Sequence, residues 1–130
     1  MPFPSQGQSA TTSLARLSAQ TIVNAVNLTN NTVQNSTTID TNSIPNKSLT
    51  IYLTSTGTIT DYLVKVTTLS SKDTTTANFA EITSEVYEEN GTYHWNIEDS
   101  GRYFRVDVKS IGTADASNYV TITIIIEGTS

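Results

Sequence analysis

The chain has 130 residues, a net charge of −5 and no Cys, which together describe one small domain with few options for chemistry. The lack of Cys excludes disulfide scaffolds, thiol catalysis and Cys-ligated zinc or iron–sulfur sites, and a single His argues against histidine-based metal sites. Because 7 Lys and Arg are outnumbered by 12 Asp and Glu, we expect no phosphate-neutralising patch and no nucleic-acid binding. We therefore expect a protein that is not an enzyme and carries no cofactor.

The composition also bears on where the protein acts. Its start has no basic segment followed by an apolar one, so we expect that it is not a secretory signal; either the protein is made without export or its signal has been removed. No stretch approaches the roughly 18 consecutive apolar residues of a membrane span, and we expect no membrane association. The 24 Thr, 15 Ser and 11 Asn are typical of surface-exposed β-proteins, which suits an extracellular or virion location.

Charge divides the chain unevenly. From residue 1 to residue 39 the only charged side chain is Arg16, and all 12 acidic residues follow from Asp40 onward. A polar, neutral segment of this kind cannot bury enough apolar area to offset backbone ordering at ~1–2 kcal/mol per residue. We expect residues 1–46 to form an extended arm and residues 47–130 to form the folded body. The candidate assembly contacts of the arm are Leu14, Leu17, Ile22, Val23, Val26 and Leu28.

Apolar and polar residues alternate along several segments of the body, and this period of two predicts strands. One apolar face recurs at Leu49, Ile51, Leu53, Val64, Val66, Arg102, Phe104, Val106, Val108, Val120, Ile122, Ile124 and Ile126, with Arg102 as its one charged member. Residues 79–83 fit a helix or a strand equally well. Six or seven short strands joined by turns predict an all-β fold, an antiparallel β-sandwich of jelly-roll or immunoglobulin-like type.

The strongest local signal is Asn90-Gly91, which supplies the two positive-φ residues of a type I′ turn. It predicts a hairpin from Ser84 to Ile97 in which Tyr87 lies opposite His94. The expected core-facing side chains of this hairpin are Val86, Tyr93, Trp95 and Ile97.

A second turn, Asp99-Ser100-Gly101, leads into a segment that resembles the tyrosine corner of immunoglobulin-like domains. The resemblance covers residues 99–103 and implies that the hydroxyl of Tyr103 bonds back to nearby backbone. Arg105 stands where an immunoglobulin domain carries its second Cys, so only the architecture is suggested.

Candidate metal ligands are His94 and a group of acidic side chains. In a strand, His94 and Glu98 lie ~13 Å apart, too far to share one ion, so we interpret His94 as a surface residue. The acidic side chains form no D-x-D-x-D-G loop, and we interpret them as a solvated surface that discourages edge pairing. These acidic residues are Glu81, Glu85, Glu88, Glu89, Glu98 and Asp99.

The aromatic residues offer a different function, a sugar-stacking platform in a carbohydrate- or receptor-binding sandwich. The candidate aromatic surface comprises Tyr52, Tyr87 and Tyr103. This hypothesis predicts glycan binding by the isolated body.

Taken together, a small, acidic, Cys-free β-sandwich with a long neutral arm resembles the capsid decoration (cement) proteins of tailed phages. The resemblance implies a sandwich on the outside of a virion shell, often a trimer, with an extended terminus lying across the major capsid protein. Residues 1–40 would then anchor the protein, and removing residues 2–38 would leave a folded body that no longer binds. A third hypothesis is an extracellular filament whose subunits donate an N-terminal strand to the next copy.

Overall fold

The computed structural model describes residues 15–58, 63–112 and 114–130, which form two sheets packed face to face. Every strand pair is antiparallel, so the predicted antiparallel β-sandwich is confirmed. No helix within these three ranges is long and apolar enough to cross a membrane. The strands are β1 (Arg16–Leu28), β2 (Gln34–Asn35), β3 (Ile39–Asp40), β4 (Asn46–Thr56), β5 (Leu63–Ser71), β6 (Ala80–Tyr87), β7 (Gly91–Glu98), β8 (Tyr103–Ile111) and β9 (Tyr119–Thr129), with a 3-10 turn at Thr76–Asn78.

The first sheet, sheet A, has the strand order β1-β9-β4-β7. The second, sheet B, has the order β2-β8-β5-β6, and β3 pairs with β8 further along that strand. The longest pair joins β4 to β9, from Asn46 opposite Thr129 to Thr56 opposite Tyr119. Each sheet therefore has one face against the core and one outer face toward solvent.

The core lies between the sheets and is built from the alternating positions that the sequence predicts. Successive side chains of a strand point to opposite faces of the sheet, so the apolar residues of β4, β8 and β9 face the core and their polar neighbours face outward. These inner side chains are nearly or fully buried. Buried members of the predicted set are Leu49, Ile51, Leu53, Val64, Val66, Phe104, Val106, Val108, Val120, Ile122, Ile124 and Ile126. Arg102 departs from the set: it is exposed ahead of β8 and forms a bidentate ion pair with Asp40 on β3.

The structure corrects the interpretation of residues 15–46 as an arm separate from the body. Strand β1 pairs with β9 along its length and completes sheet A. Its Ile22, Val23 and Leu28 are buried in the common core, as is Ile39 of β3. The segment is poor in charge and rich in Ser, Thr and Asn, yet it places apolar side chains at the points where the strand faces inward. Residues 1–14 lie outside the described ranges.

The predicted hairpin at Asn90-Gly91 is wrong. Strand β6 pairs with β5 in sheet B, whereas β7 pairs with β4 in sheet A, so the link between them crosses from one sheet to the other. Tyr93, Trp95 and Ile97 do face the core, but Val86 is 48% exposed on the outer face of sheet B. Each strand gains a long ladder and buried contacts in its own sheet, which outweighs the local preference of one turn.

The undecided segment 79–83 is mostly strand. Phe79 follows the 3-10 turn directly, and β6 begins at Ala80. A bulge interrupts the register between β5 and β6 at Thr68 and Leu69, so the apolar spacing on β6 does not keep a strict period of two.

Candidate interaction surfaces

The predicted assembly contacts are engaged inside the molecule. Ile22, Val23 and Leu28 are buried, and Leu17 and Val26 are partly buried against the same core. Leu14 lies outside the described residues. The five described side chains therefore stabilise this chain's own sandwich in the folded state.

The three predicted aromatic residues lie in three different places. Tyr52 is 41% exposed on the outer face of sheet A. Tyr87 packs against Tyr93 of the other sheet, with ring centroids 4.5 Å apart, and burial, followed by the charge of Glu85, raises the pKa of Tyr87 to about 12. Tyr103 is half-buried on the outer face of sheet B. They do not form one stacking platform.

The turn before β8 forms as predicted, but it does not make a tyrosine corner. Asp99 accepts a hydrogen bond from the backbone N–H of Gly101 at 3.0 Å and so closes the turn. Tyr103 instead lies beneath Arg102, whose guanidinium carbon is 5.2 Å from the ring centroid. Its hydroxyl forms no hydrogen bond with another described residue.

The outer face of sheet B carries three neighbouring side chains on β8, β5 and β6, and a fourth exposed residue lies just ahead of β2. Lys109 on β8 lies directly opposite Lys65 on β5, and Lys65 lies opposite Val86 on β6. At the other edge, Val33 directly precedes β2, whose first residue, Gln34, pairs with Val108 next to Lys109. We call these four residues the basic–apolar row. Val33 and Val86 are 47% and 48% exposed.

The two lysines of this row have no ion-pair partner among the described residues. Like charges directly opposite each other on paired strands destabilise a sheet, so the arrangement has an electrostatic cost. The carboxylate nearest along β8, Asp107, already binds Arg105, with 3.2 Å between Nε and Oδ1. Beside the row, Ile111 is 37% exposed opposite Leu63. In a chain of net charge −5, this face combines two cations that have no ion-pair partner in the described part of the chain with exposed apolar side chains.

A groove of about 910 Å³ lies on the outer face of sheet A. All four strands of that sheet contribute to it, and no residue of sheet B does. Its outward side chains are amides, hydroxyls and charges: Arg16, Ser18, Asn46, Ser48, Asn96, Glu98, Glu127 and Thr129. An irregularity in β1 between Leu17 and Gln20 interrupts the ladder with β9 beside this groove. The groove could hold a polar ligand through hydrogen bonds.

Lys47 is a buried charge that sequence reasoning missed. Its side chain is fully covered, and its Nζ donates hydrogen bonds to the carbonyl oxygens of Ile44, at 2.7 Å, and Asp99. The carboxylate of Asp99 lies 3.9 Å away, and the Phe104 ring centroid lies 5.9 Å away. Burial lowers the pKa of Lys47, and the charge of Asp99 opposes this shift. Lys47 thus ties the start of β4 to the turn before β8.

His94 lies on the exposed outer face of sheet A, opposite Thr50 and not opposite Tyr87. Its Nδ1 is 3.4 Å from the Thr50 hydroxyl. In the part of the chain that the structure describes, no three His, Asp or Glu side chains are grouped to hold a metal ion.

No protein-family model matches the chain, and no curated protein matches it. Several solved structures are similar to the chain at low sequence identity. The crystal structure of PirA matches 83% of this chain and 89% of its own, with 16% identity and a TM-score of 0.48. The SPBc2 prophage-derived protein YomS matches 92% of this chain and 96% of its own, with 13% identity and a TM-score of 0.51. The infectious bursal disease virus VP2 subviral particle matches 89% of this chain but only 33% of its own, with 7% identity and a TM-score of 0.52.

Proposed function

We propose that this chain is a non-enzymatic structural protein of a virion, and more specifically a decoration protein that binds and stabilises a capsid shell. It acts as a homo-oligomer, with a trimer favoured, on the outside of the particle. It uses no cofactor and binds neither nucleic acid nor membrane. The fold supports the viral part of this proposal, because a prophage-derived protein and a chain of a viral particle share it over about nine-tenths of this sequence.

The observation that carries the proposal is the basic–apolar row on sheet B. Lys65 and Lys109 face each other without a counter-charge among the described residues, beside exposed Val33 and Val86. A surface that combines unpaired cations with apolar side chains gains stability when a partner covers it. We therefore place the subunit contact of the proposed oligomer on this face of sheet B, since the described side chains of β1 pack in the chain's own core.

Purified particles test this proposal. We expect the protein in many copies per particle, and particles that lack it should still assemble but release their genome at a lower temperature. Restoring the wild-type protein to such particles is the control and should recover the original release temperature. Absence of the protein from particles, or failure of the shell to assemble without it, would contradict a decoration role. Helical particles would favour the filament hypothesis, in which β1 must leave β9 to pair with another copy.

A second candidate function rests on the groove of sheet A. Asn96, Glu98 and Glu127 offer amide and carboxylate groups to sugar hydroxyls, and Tyr52 is exposed further along the same face. A carbohydrate- or receptor-binding module would use this surface. We expect glycan-array binding that Asn96→Ala with Glu127→Gln abolishes, whereas Lys72→Ala, in an exposed loop, retains it. An array without binding would reject this candidate.

A further inference from the structure

We infer that the basic–apolar row of one copy binds the acidic link between β6 and β7 of a second copy. The acidic link is residues 88–90, in which Glu88 and Glu89 are adjacent and exposed. This inference deepens the proposed function by naming the surface through which copies of the chain would associate, and its test does not require the shell.

Charge complementarity supports a second copy as the occupant. Each chain has a net charge of −5, so copies repel one another unless local charges of opposite sign meet. Lys65 and Lys109 supply two neighbouring cations, and Glu88 and Glu89 supply two neighbouring anions that form no ion pair with any described residue. Contact between the two surfaces would neutralise both and would relieve the repulsion between the lysines.

The apolar residues of the row and the neighbouring Ile111 are suited to the same contact. Val33, Val86 and Ile111 are three of the four large apolar side chains that are exposed among the described residues. Three strands of eight or nine residues, about 4.8 Å apart and about 30 Å long, give this face an area of about 430 Å², about half of the roughly 800 Å² per partner of a standard interface. The face is large enough to receive a short segment such as the acidic link.

The positions of the two surfaces indicate what kind of assembly forms. The row ends at Val86 on the edge strand β6, and the acidic link begins two residues later, where the chain crosses to sheet A. The row therefore lies on a face and the link lies on the adjoining side of the sandwich. Because the row and the link adjoin, two copies can each offer the row to the link of the other in a two-fold dimer, and the same contact repeated in one direction can close a small ring such as a trimer. The mass of the assembly in solution distinguishes these two arrangements.

Sedimentation equilibrium of the full chain tests the inference through charge exchange. We expect wild type to associate, and both Lys65→Glu with Lys109→Glu and Glu88→Lys with Glu89→Lys to weaken association at least tenfold. Combining all four substitutions in one chain restores the net charge and reverses both surfaces, so it should restore association. Arg16→Glu with Lys72→Glu changes the net charge as much as the lysine variant but outside the row, and it should associate nearly as wild type does.

Three outcomes would overturn the inference. These are a monomeric wild type, a lysine variant that associates as wild type does, and a fourfold variant that stays as weak as the two double variants. The last would mean that the row and the link do not contact each other. Circular dichroism shows whether each variant is folded. If one double variant does not fold, the fourfold variant still tests the inference. Failure of shell binding with intact self-association would reject the proposed function alone.

Discussion

Lys47 was not predicted as a core residue from the sequence, yet it connects the start of β4 to the turn before β8. In Asn46-Lys47-Ser48 it is flanked by polar residues at the start of a strand, a context typical of a solvated side chain. The structure instead buries it, because the alternation along β4 puts position 47 on the core side with Leu49 and Ile51. The carbonyl oxygens of Ile44 and Asp99 then accept hydrogen bonds from its ammonium group. The one sequence signal for the burial of Lys47 is the alternation of Leu49, Ile51 and Leu53, extended by one step toward the N-terminus.

Lys47→Met tests that role, since methionine keeps most of the volume but donates no hydrogen bond. We expect the free energy of unfolding to fall by about 1–3 kcal/mol, because two carbonyl groups lose their buried donor. The difference in unfolding free energy between wild type and Lys47→Met should widen at alkaline pH. Because the pKa of Lys47 is lowered in the folded state, the unfolded chain binds more protons than the folded chain between that lowered pKa and 10.5. Wild type therefore gains stability as pH rises across this range.

Urea unfolding at several pH values between 7 and 10 measures this difference. The control is Lys72→Met at an exposed loop position, which should stay within about 0.5 kcal/mol of wild type. A Lys47→Met variant as stable as wild type at every pH would show that the two hydrogen bonds contribute nothing net.

Tyr87 has the opposite effect on the pH dependence of stability, and it acts at higher pH. Its pKa is raised from 10.0 to about 12, so the folded state holds the phenolic proton more tightly than the unfolded state does. The stability that this provides is complete below pH 10.0 and is lost as pH rises toward about 12. We expect wild type to lose more stability than Tyr87→Phe across this range, with Tyr52→Phe at an exposed position as the control. Parallel pH profiles for wild type and Tyr87→Phe would contradict the expected proton linkage.

At the scale of elements, the strands could be predicted far better than their partners. Alternation located the inner faces of β4, β5, β8 and β9, because each pattern is local. The Asn90-Gly91 turn is equally local, yet β6 and β7 join different sheets, and the stacking of Tyr87 on Tyr93 spans the core between them. Pairing depends on contacts between distant residues, which no window of sequence contains.

Strand β1 changes what a truncation should do. Removing residues 2–38 deletes β1 and β2, including the buried Ile22, Val23 and Leu28. Burial of three such side chains contributes about 5–9 kcal/mol, a large share of the ~5–15 kcal/mol that stabilises a typical domain. We expect this truncated chain to lose its cooperative thermal transition, measured by circular dichroism. Removal of residues 2–13 deletes no described strand and is the matched control. A cooperative transition after removal of residues 2–38 would support the original expectation that the arm is separate from the folded body.

For the whole molecule, the sequence predicted an all-β domain and suggested an assembly role, but it could not show which charges meet on the folded surface. The near-absence of charge in residues 1–39 is visible in the sequence. The basic–apolar row is not, because Lys65 and Lys109 are 44 positions apart. They meet only because β5 and β8 pair in the middle of sheet B. Charge counted along the chain therefore identified an acidic protein, and charge counted across the folded sheet identifies a basic face on it.

The salt dependence of self-association distinguishes paired charges from general apolar adhesion. Salt screens two opposing effects, the repulsion between copies of net charge −5 and the attraction between the row and the acidic link. Raising the ionic strength from about 0.1 M to about 1 M shortens the screening length from about 10 Å to about 3 Å. Adhesion through Val33, Val86 and Ile111 alone would strengthen as the repulsion is screened. If the charge pairs dominate, as we expect, association of wild type weakens with salt, and the variant Lys65→Glu with Lys109→Glu does not show this loss. Association that strengthens with salt would assign the contact to the apolar side chains.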